Sequence, residues 1–224
     1  MNKPVAWSYS SLTAYETCPK RYYLTKVSKE VKEPQTEATL WGNQVHKALE
    51  YRVGKGQPLP ESMSMFEPIA HSIAIKRDSG SKIECEQKMA LTKSFTPTTW
   101  FAKDVWVRGI TDVTLTKGNV AVVLDYKTGK KTPNSQQLKL TAAMTMHHKP
   151  WVDTVINSFI WLKTGETTQE VFTRNDIPEI WQEFTPRVNR LESAMAEDKW
   201  PARPSGLCRK WCPVGKKLCE HCGE

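Results

Sequence analysis

Asp125 and Lys127 stand two residues apart at the end of an apolar run, Val122-Val123-Leu124-Asp125-Tyr126-Lys127, which then breaks into Thr128-Gly129-Lys130. Alternate side chains of a strand share a face, so the acid and the amine emerge together. Such a carboxylate can hold a hard divalent cation, and an ammonium beside it can handle a water or a developing negative charge. Upstream, Val105–Thr116 is rich in β-branched and aromatic residues and reads as a strand, with Gly118-Asn119 as a two-residue hairpin turn. If Lys117 faces Val120 across that turn, Asp112 falls opposite Asp125, with Cβ atoms about 5 Å apart. Two like charges that close destabilise the hairpin unless something compensates them, and a bound cation is the simplest compensation.

Other residues could join this centre. Ile83-Glu84-Cys85-Glu86-Gln87-Lys88 places Glu84, Glu86 and Lys88 on one strand face, where Glu86 either supports the metal site or belongs to a solvated surface. His46 shares a helix face with Leu49 and Val53, the usual position of a packed core histidine. Cys208, Cys212, Cys219 and Cys222 crowd the last seventeen residues at intervals of three, six and two. Clustered thiols in a chain without a secretion signal point to metal ligation rather than disulfides. Zinc would take all four in a tetrahedron. Cys85, alone in mid-chain, reads as a small buried apolar residue.

These groups need elements to carry them. A helix over 8–26 is interrupted at Cys18-Pro19, and Ser8 or Ser10 caps it. A charged loop over 26–36 leads to a helix over 38–53, ended by Gly54-Lys55-Gly56, and another over 67–78. A strand over 83–91 precedes the hairpin. Pro133, capped by Thr132, starts a helix to His148. A strand over 152–162, a short edge strand over 171–173 and a helix over 178–198, broken awkwardly by Pro186, complete the order. The pattern predicts an α/β domain with a mixed central sheet flanked by helices. Its parts are a helical N-terminal portion (1–80), a catalytic sheet and helix (81–165) and a cysteine tail (200–224) within one domain of 1–224. The 224 residues suffice for a buried core, no apolar stretch is long enough for a bilayer, and Met1–Ser8 has no apolar signal core, so a cytoplasmic location is expected. A net charge of +8 and nine Trp favour a polyanion whose bases can be stacked upon.

The ordered series Trp7–Tyr15 with Cys18-Pro19-Lys20-Arg21-Tyr22, Gly42-Asn43-Gln44-Val45-His46, Gly109-Ile110-Thr111-Asp112, Asp125-Tyr126-Lys127-Thr128-Gly129 and Gln137-Leu138 resembles the PD-(D/E)XK nuclease superfamily. The likeness is to its RecB-like branch, which includes CRISPR-associated and phage exonucleases. The resemblance implies a restriction-endonuclease-like core and metal-dependent hydrolysis of DNA phosphodiesters, by an exonuclease at ends or single strands, in DNA processing, recombination or repair. It implies that Asp112, Asp125, His46 and the Tyr126 main-chain carbonyl hold Mg²⁺ or Mn²⁺, that Lys127 serves the attacking water, and that Glu86 assists. It implies a DNA-positioning role for Gln137, although Thr141 stands where relatives commonly carry Tyr; Lys130 and Lys131 suit phosphate contacts or form a solvated lysine face, and Tyr22 is a further candidate DNA contact. A 4Fe–4S cluster on Cys18, Cys208, Cys212 and Cys219, with Cys222 as alternate, competes with zinc for the tail. A helicase or recombinase partner is compatible with the family. The alternative is a DNA-binding or repair-scaffold module that keeps the fold without turnover.

Overall fold

The computed structural model describes residues 6–223; Met1–Val5, read above as part of a start without a signal core, lie outside them. The chain forms two compact units, one of residues 37–181 and one of residues 1–36 with 182–224. The helices predicted over 38–53 and 67–78 therefore fall within the sheet's own unit, and the one over 8–26 falls in the other. Among the described residues no helix is long and apolar enough to cross a membrane.

The larger unit is built on a six-stranded sheet: β1 (Lys82–Leu91), β2 (Pro97–Thr98), β3 (Val107–Lys117), β4 (Val120–Lys127), β5 (Thr154–Trp161) and β6 (Glu166–Thr173), in the order β2-β1-β3-β4-β5-β6. β4 and β5 are parallel and every other pair is antiparallel. A parallel pair requires a crossover, and α5 (Gln136–His148) lies on that connection. The Gly118-Asn119 turn forms as expected, with Lys117 paired to Val120. β6 is longer than the predicted edge strand because its Thr-rich sequence alternates between exposed and half-buried positions.

α3 (Glu37–Lys55) and α4 (Glu67–Ala74) pack through Val45, Leu49, Val53, Ala70 and Ile73 onto Val113, Leu115, Leu124 and Tyr126 of the sheet. α5 covers the opposite face: Thr145 donates to Met89 Sδ, and a Cβ on Gly109 would meet Met144 Sδ at 3.0 Å. α5 begins later than Thr132-Pro133 suggested, since Asn134 Oδ1 accepts the Gln136 amide at 2.9 Å and holds the chain in a turn until then.

Strand alternation slips in β1 and β3. Cys85 and Val113 face α3 (Cys85 lies against Gly54 and Val113 against the α3 core), yet Met89 and Gly109, at an even spacing from them, face α5. The shift falls at Glu86, whose backbone is left-handed at φ +51°, and at the facing residue Asp112, neither of which forms a ladder pair although the register continues on both sides. Glu84 thus turns to the α5 face, where its carboxylate pairs with Lys149, and does not share a face with Glu86 as strict alternation predicted.

In the second unit α1 (Tyr9–Thr17) starts at Ser8 in a reciprocal cap with Ser11 and stops at Cys18, whose extended backbone precedes Pro19. α2 (Pro19–Tyr22) runs into a π-helical turn over Tyr23–Val27. α6 (Ile177–Glu197), which belongs to this unit from Gln182 on, continues through Pro186 instead of breaking there. Arg187 clamps Glu16 with two bonds of 2.7 Å, tying α6 to α1.

Candidate active site

Three elements deliver one constellation. α3 brings His46, β1 brings Glu86 and β3 brings Asp112; a ligand atom from each lies within 4.8 Å of the others. Among the described residues these three form the one group of His, Cys, Asp or Glu side chains so arranged. His46 Nδ1 lies 3.1 Å from Asp112 Oδ1, and the other Asp112 oxygen accepts the Tyr126 amide at 2.6 Å. α3 approaches because Gly42 has no side chain: a Cβ there would sit 3.2 Å from Thr128 Oγ1, next to the acid-x-lysine strand.

The β3–β4 ladder ends at Val113–Leu124, so Asp112 and Asp125 lie one step beyond the last paired rung and do not form the cross-strand pair expected from the register. Asp125 belongs to a second cluster. Gln137, at the start of α5, donates through Nε2 to Asp125 Oδ1 at 2.7 Å and accepts Lys127 Nζ through Oε1 at 2.9 Å. The Lys127 ammonium also lies 2.7 Å from Asp125 Oδ2 and 4.5 Å from the centre of the Phe159 ring. Asp125 Oδ2 is buried with the Lys127 ammonium as its ion-pair partner, which leaves it a further lone pair for a cation.

The electrostatics match a gathering of uncompensated negative charge. Burial pushes the Asp125 carboxyl up to about 6, against the downward pull of Lys127 and with a further push from Asp112. Burial raises the Glu86 carboxyl, and the Asp112 and Glu50 charges raise it further. Burial of His46 disfavours its charged form, but the bond to Asp112 and the charges of Asp112, Asp125 and Glu86 outweigh it and leave the imidazole above its ordinary value. Two buried carboxyls held back from ionising by burial and by neighbouring negative charge are what a hard divalent cation relieves, and oxygen donors with one imidazole can hold such an ion.

The sequence profile of the PD-(D/E)XK nuclease superfamily matches residues 6–220. The chain belongs to that superfamily. A protein of Eubacterium rectale, provisionally named an exonuclease, has a solved structure similar to this PD-(D/E)XK chain at a TM-score of 0.53, with 13% identity over 94% of this chain and 88% of that one. The structure of SSO0001 is similar at a TM-score of 0.42, with 14% identity over 96% of this chain and 85% of that one. No curated protein matches the chain.

The remaining expected residues of this PD-(D/E)XK chain are placed differently. Gln137 bridges the acid and the lysine, a role that composition did not signal. Thr141 is buried, donating to the Gln137 carbonyl at 3.0 Å and accepting Asn157 Nδ2 at 2.6 Å, so its position serves packing of α5 on β5. Lys131 pairs with Glu166 at 3.0 Å and Lys130 is exposed. Tyr22 is 2% exposed, edge-on to Tyr15 and against Trp200, so its ring is enclosed by the terminal unit and is not open to a base. Cys18, Cys208, Cys212, Cys219 and Cys222 line one pocket, all as free thiols. Burial, together with the adjacent Cys212 and Cys219, pushes the Cys222 thiol up to about 12.

Proposed function

We propose that this chain is a Mg²⁺- or Mn²⁺-dependent deoxyribonuclease, an exonuclease acting at DNA ends or on single strands in DNA processing or repair. The observation that carries the reading is the meeting of His46, Glu86 and Asp112 beside an Asp125–Lys127 pair braced by Gln137. His46, Glu86, Asp112, Asp125 and the Tyr126 carbonyl would hold the cation, which when bound supplies charge neutralisation for the phosphate and a more acidic water. Asp112 fixes the imidazole of His46 through one oxygen and the Tyr126 amide through the other, which aims the Tyr126 peptide. Gln137 and the Phe159 ring hold the Lys127 ammonium in place, so it can orient a nucleophilic water and offset charge as the phosphodiester is attacked in line.

End-labelled linear DNA and covalently closed circles, incubated with Mg²⁺, Mn²⁺ or EDTA, test the reading. Digestion of the linear substrate only, and only with metal, is expected. Binding without products under every metal would favour the scaffold alternative instead.

A second proposal concerns the tail: a 4Fe–4S cluster on Cys18, Cys208, Cys212 and Cys219, with Cys222 as alternate and zinc as competitor. Its support is that free thiols from both ends of the sequence share one pocket. Anaerobically purified protein should be brown and contain iron and sulfide. A colourless protein loaded with zinc would overturn the cluster.

A further inference from the structure

On the α3 side of the sheet, a stripe of side chains leads away from the metal-ligating group. The slip at Glu86 and Asp112 places Lys88 of β1 and Ile110 and Arg108 of β3 on that face, in the paired rungs Lys88–Ile110 and Ala90–Arg108. Ile110 is 38% exposed although apolar. Four residues, about 14 Å of strand, separate Asp112 from Arg108. A turn closed by the Ala102 amide on the Thr99 carbonyl at 3.1 Å carries Trp100 and Phe101 at its corners. Lys88 Nζ and Arg108 Cζ both stand over the Trp100 ring, at 5.7 and 5.4 Å from its centre, which confirms that they share a face. Arg108 Nε is buried with no hydrogen-bond partner, and Phe101 is 85% exposed.

We propose that this stripe is the docking track for the single-stranded end of the DNA substrate. Trp100 and Phe101 stack on unpaired bases, Lys88 and Arg108 hold adjoining phosphates, and Ile110 floors the path to the acids. A duplex keeps its base faces covered by one another, so an exposed Phe101 ring and a half-buried Trp100 ring beside two cations favour a strand whose bases are free. The cations also draw the phosphodiester chain toward a centre that is itself acidic and would otherwise repel it. The inference rests on the nuclease reading and adds to it the form of the substrate and the residues that select it.

The test is binding of a fluorescent oligothymidylate and of a blunt hairpin duplex of equal length, by anisotropy in EDTA. The double substitution Trp100→Ala with Phe101→Ala is expected to weaken single-strand binding about tenfold or more, with little change for the duplex. Arg108→Gln is expected to flatten the single-strand salt dependence by roughly 0.7 in log–log slope. Trp100 and Arg108 are half-buried, so far-ultraviolet circular dichroism checks that each variant keeps the fold. Unchanged single-strand affinity in both variants would overturn the track and, with metal-dependent digestion intact, leave the nuclease reading standing. Equal losses on both substrates would overturn the single-strand assignment. A wild-type protein that binds neither DNA would overturn both readings.

Discussion

Glu86 occupies a left-handed backbone conformation at φ +51° and faces Asp112, so it carries both strain and like-charge repulsion. A β-carbon in that region costs roughly 1–2 kcal/mol. Glu86→Gly removes the strain and the charge together, while Glu86→Gln removes only the charge. Thermal unfolding of metal-free protein is expected to show the glycine variant above wild type by about 1 kcal/mol, after the entropy that glycine loses on folding, and digestion by both variants is expected to fall. A glycine variant less stable than wild type would contradict strain at this position. The sequence placed Glu86 near the site but gave no sign of its backbone, because period-two reasoning assumes an unbroken strand. Gln137 was legible as a motif residue only; its bridge between Asp125 and Lys127 depends on where α5 starts, which the Asn134 turn decides.

At the scale of elements, the paired slip in β1 and β3 lets one sheet bury apolar residues against α3 in one half and carry exposed Lys88 and Ile110 with half-buried Arg108 on the same face in the other. The hairpin register, the parallel β4–β5 crossover and the helix carrying His46 were readable from turn residues and periodicity. The slip was not, and it undid two expectations: the shared face of Glu84 and Glu86, and the rung between Asp112 and Asp125. Glu84 instead joins β1 to the end of α5 through the buried ammonium of Lys149. Burial alone would raise the Glu84 carboxyl, but Lys149 and Lys82 bring it below its ordinary value. A depressed folded-state pKa contributes stability above the unfolded value and loses it as pH falls through the folded one. Glu84→Gln should therefore cost about 2 kcal/mol near neutrality, less than a fully buried pair because the carboxylate keeps some water. Denaturant titrations should show the gap from wild type closing below about pH 4. A gap that persists in acid would mean that packing, not charge, sets the loss.

For the whole molecule, a net charge of +8 stands against an acidic centre, a balance that attracts a polyanion generally, and the proposed track would lead it to the acids past cations. Sequence motifs sufficed for the superfamily because its site residues sit at fixed places along consecutive elements. They misjudged Tyr22, since an aromatic in a basic stretch reads the same whether it stacks on a base or fills a core. The central claim is that the acids and His46 hold the cation while Lys127 acts on the chemistry. Mn²⁺ titration calorimetry and digestion of end-labelled single-stranded DNA, run on the same preparation of Lys127→Ala, test it most directly. Loss of the ammonium frees Asp125 from its ion pair, so Mn²⁺ binding is expected to persist while the cleavage rate falls by about 10² or more. Wild-type cleavage by that variant, or loss of Mn²⁺ binding along with cleavage, would contradict the account.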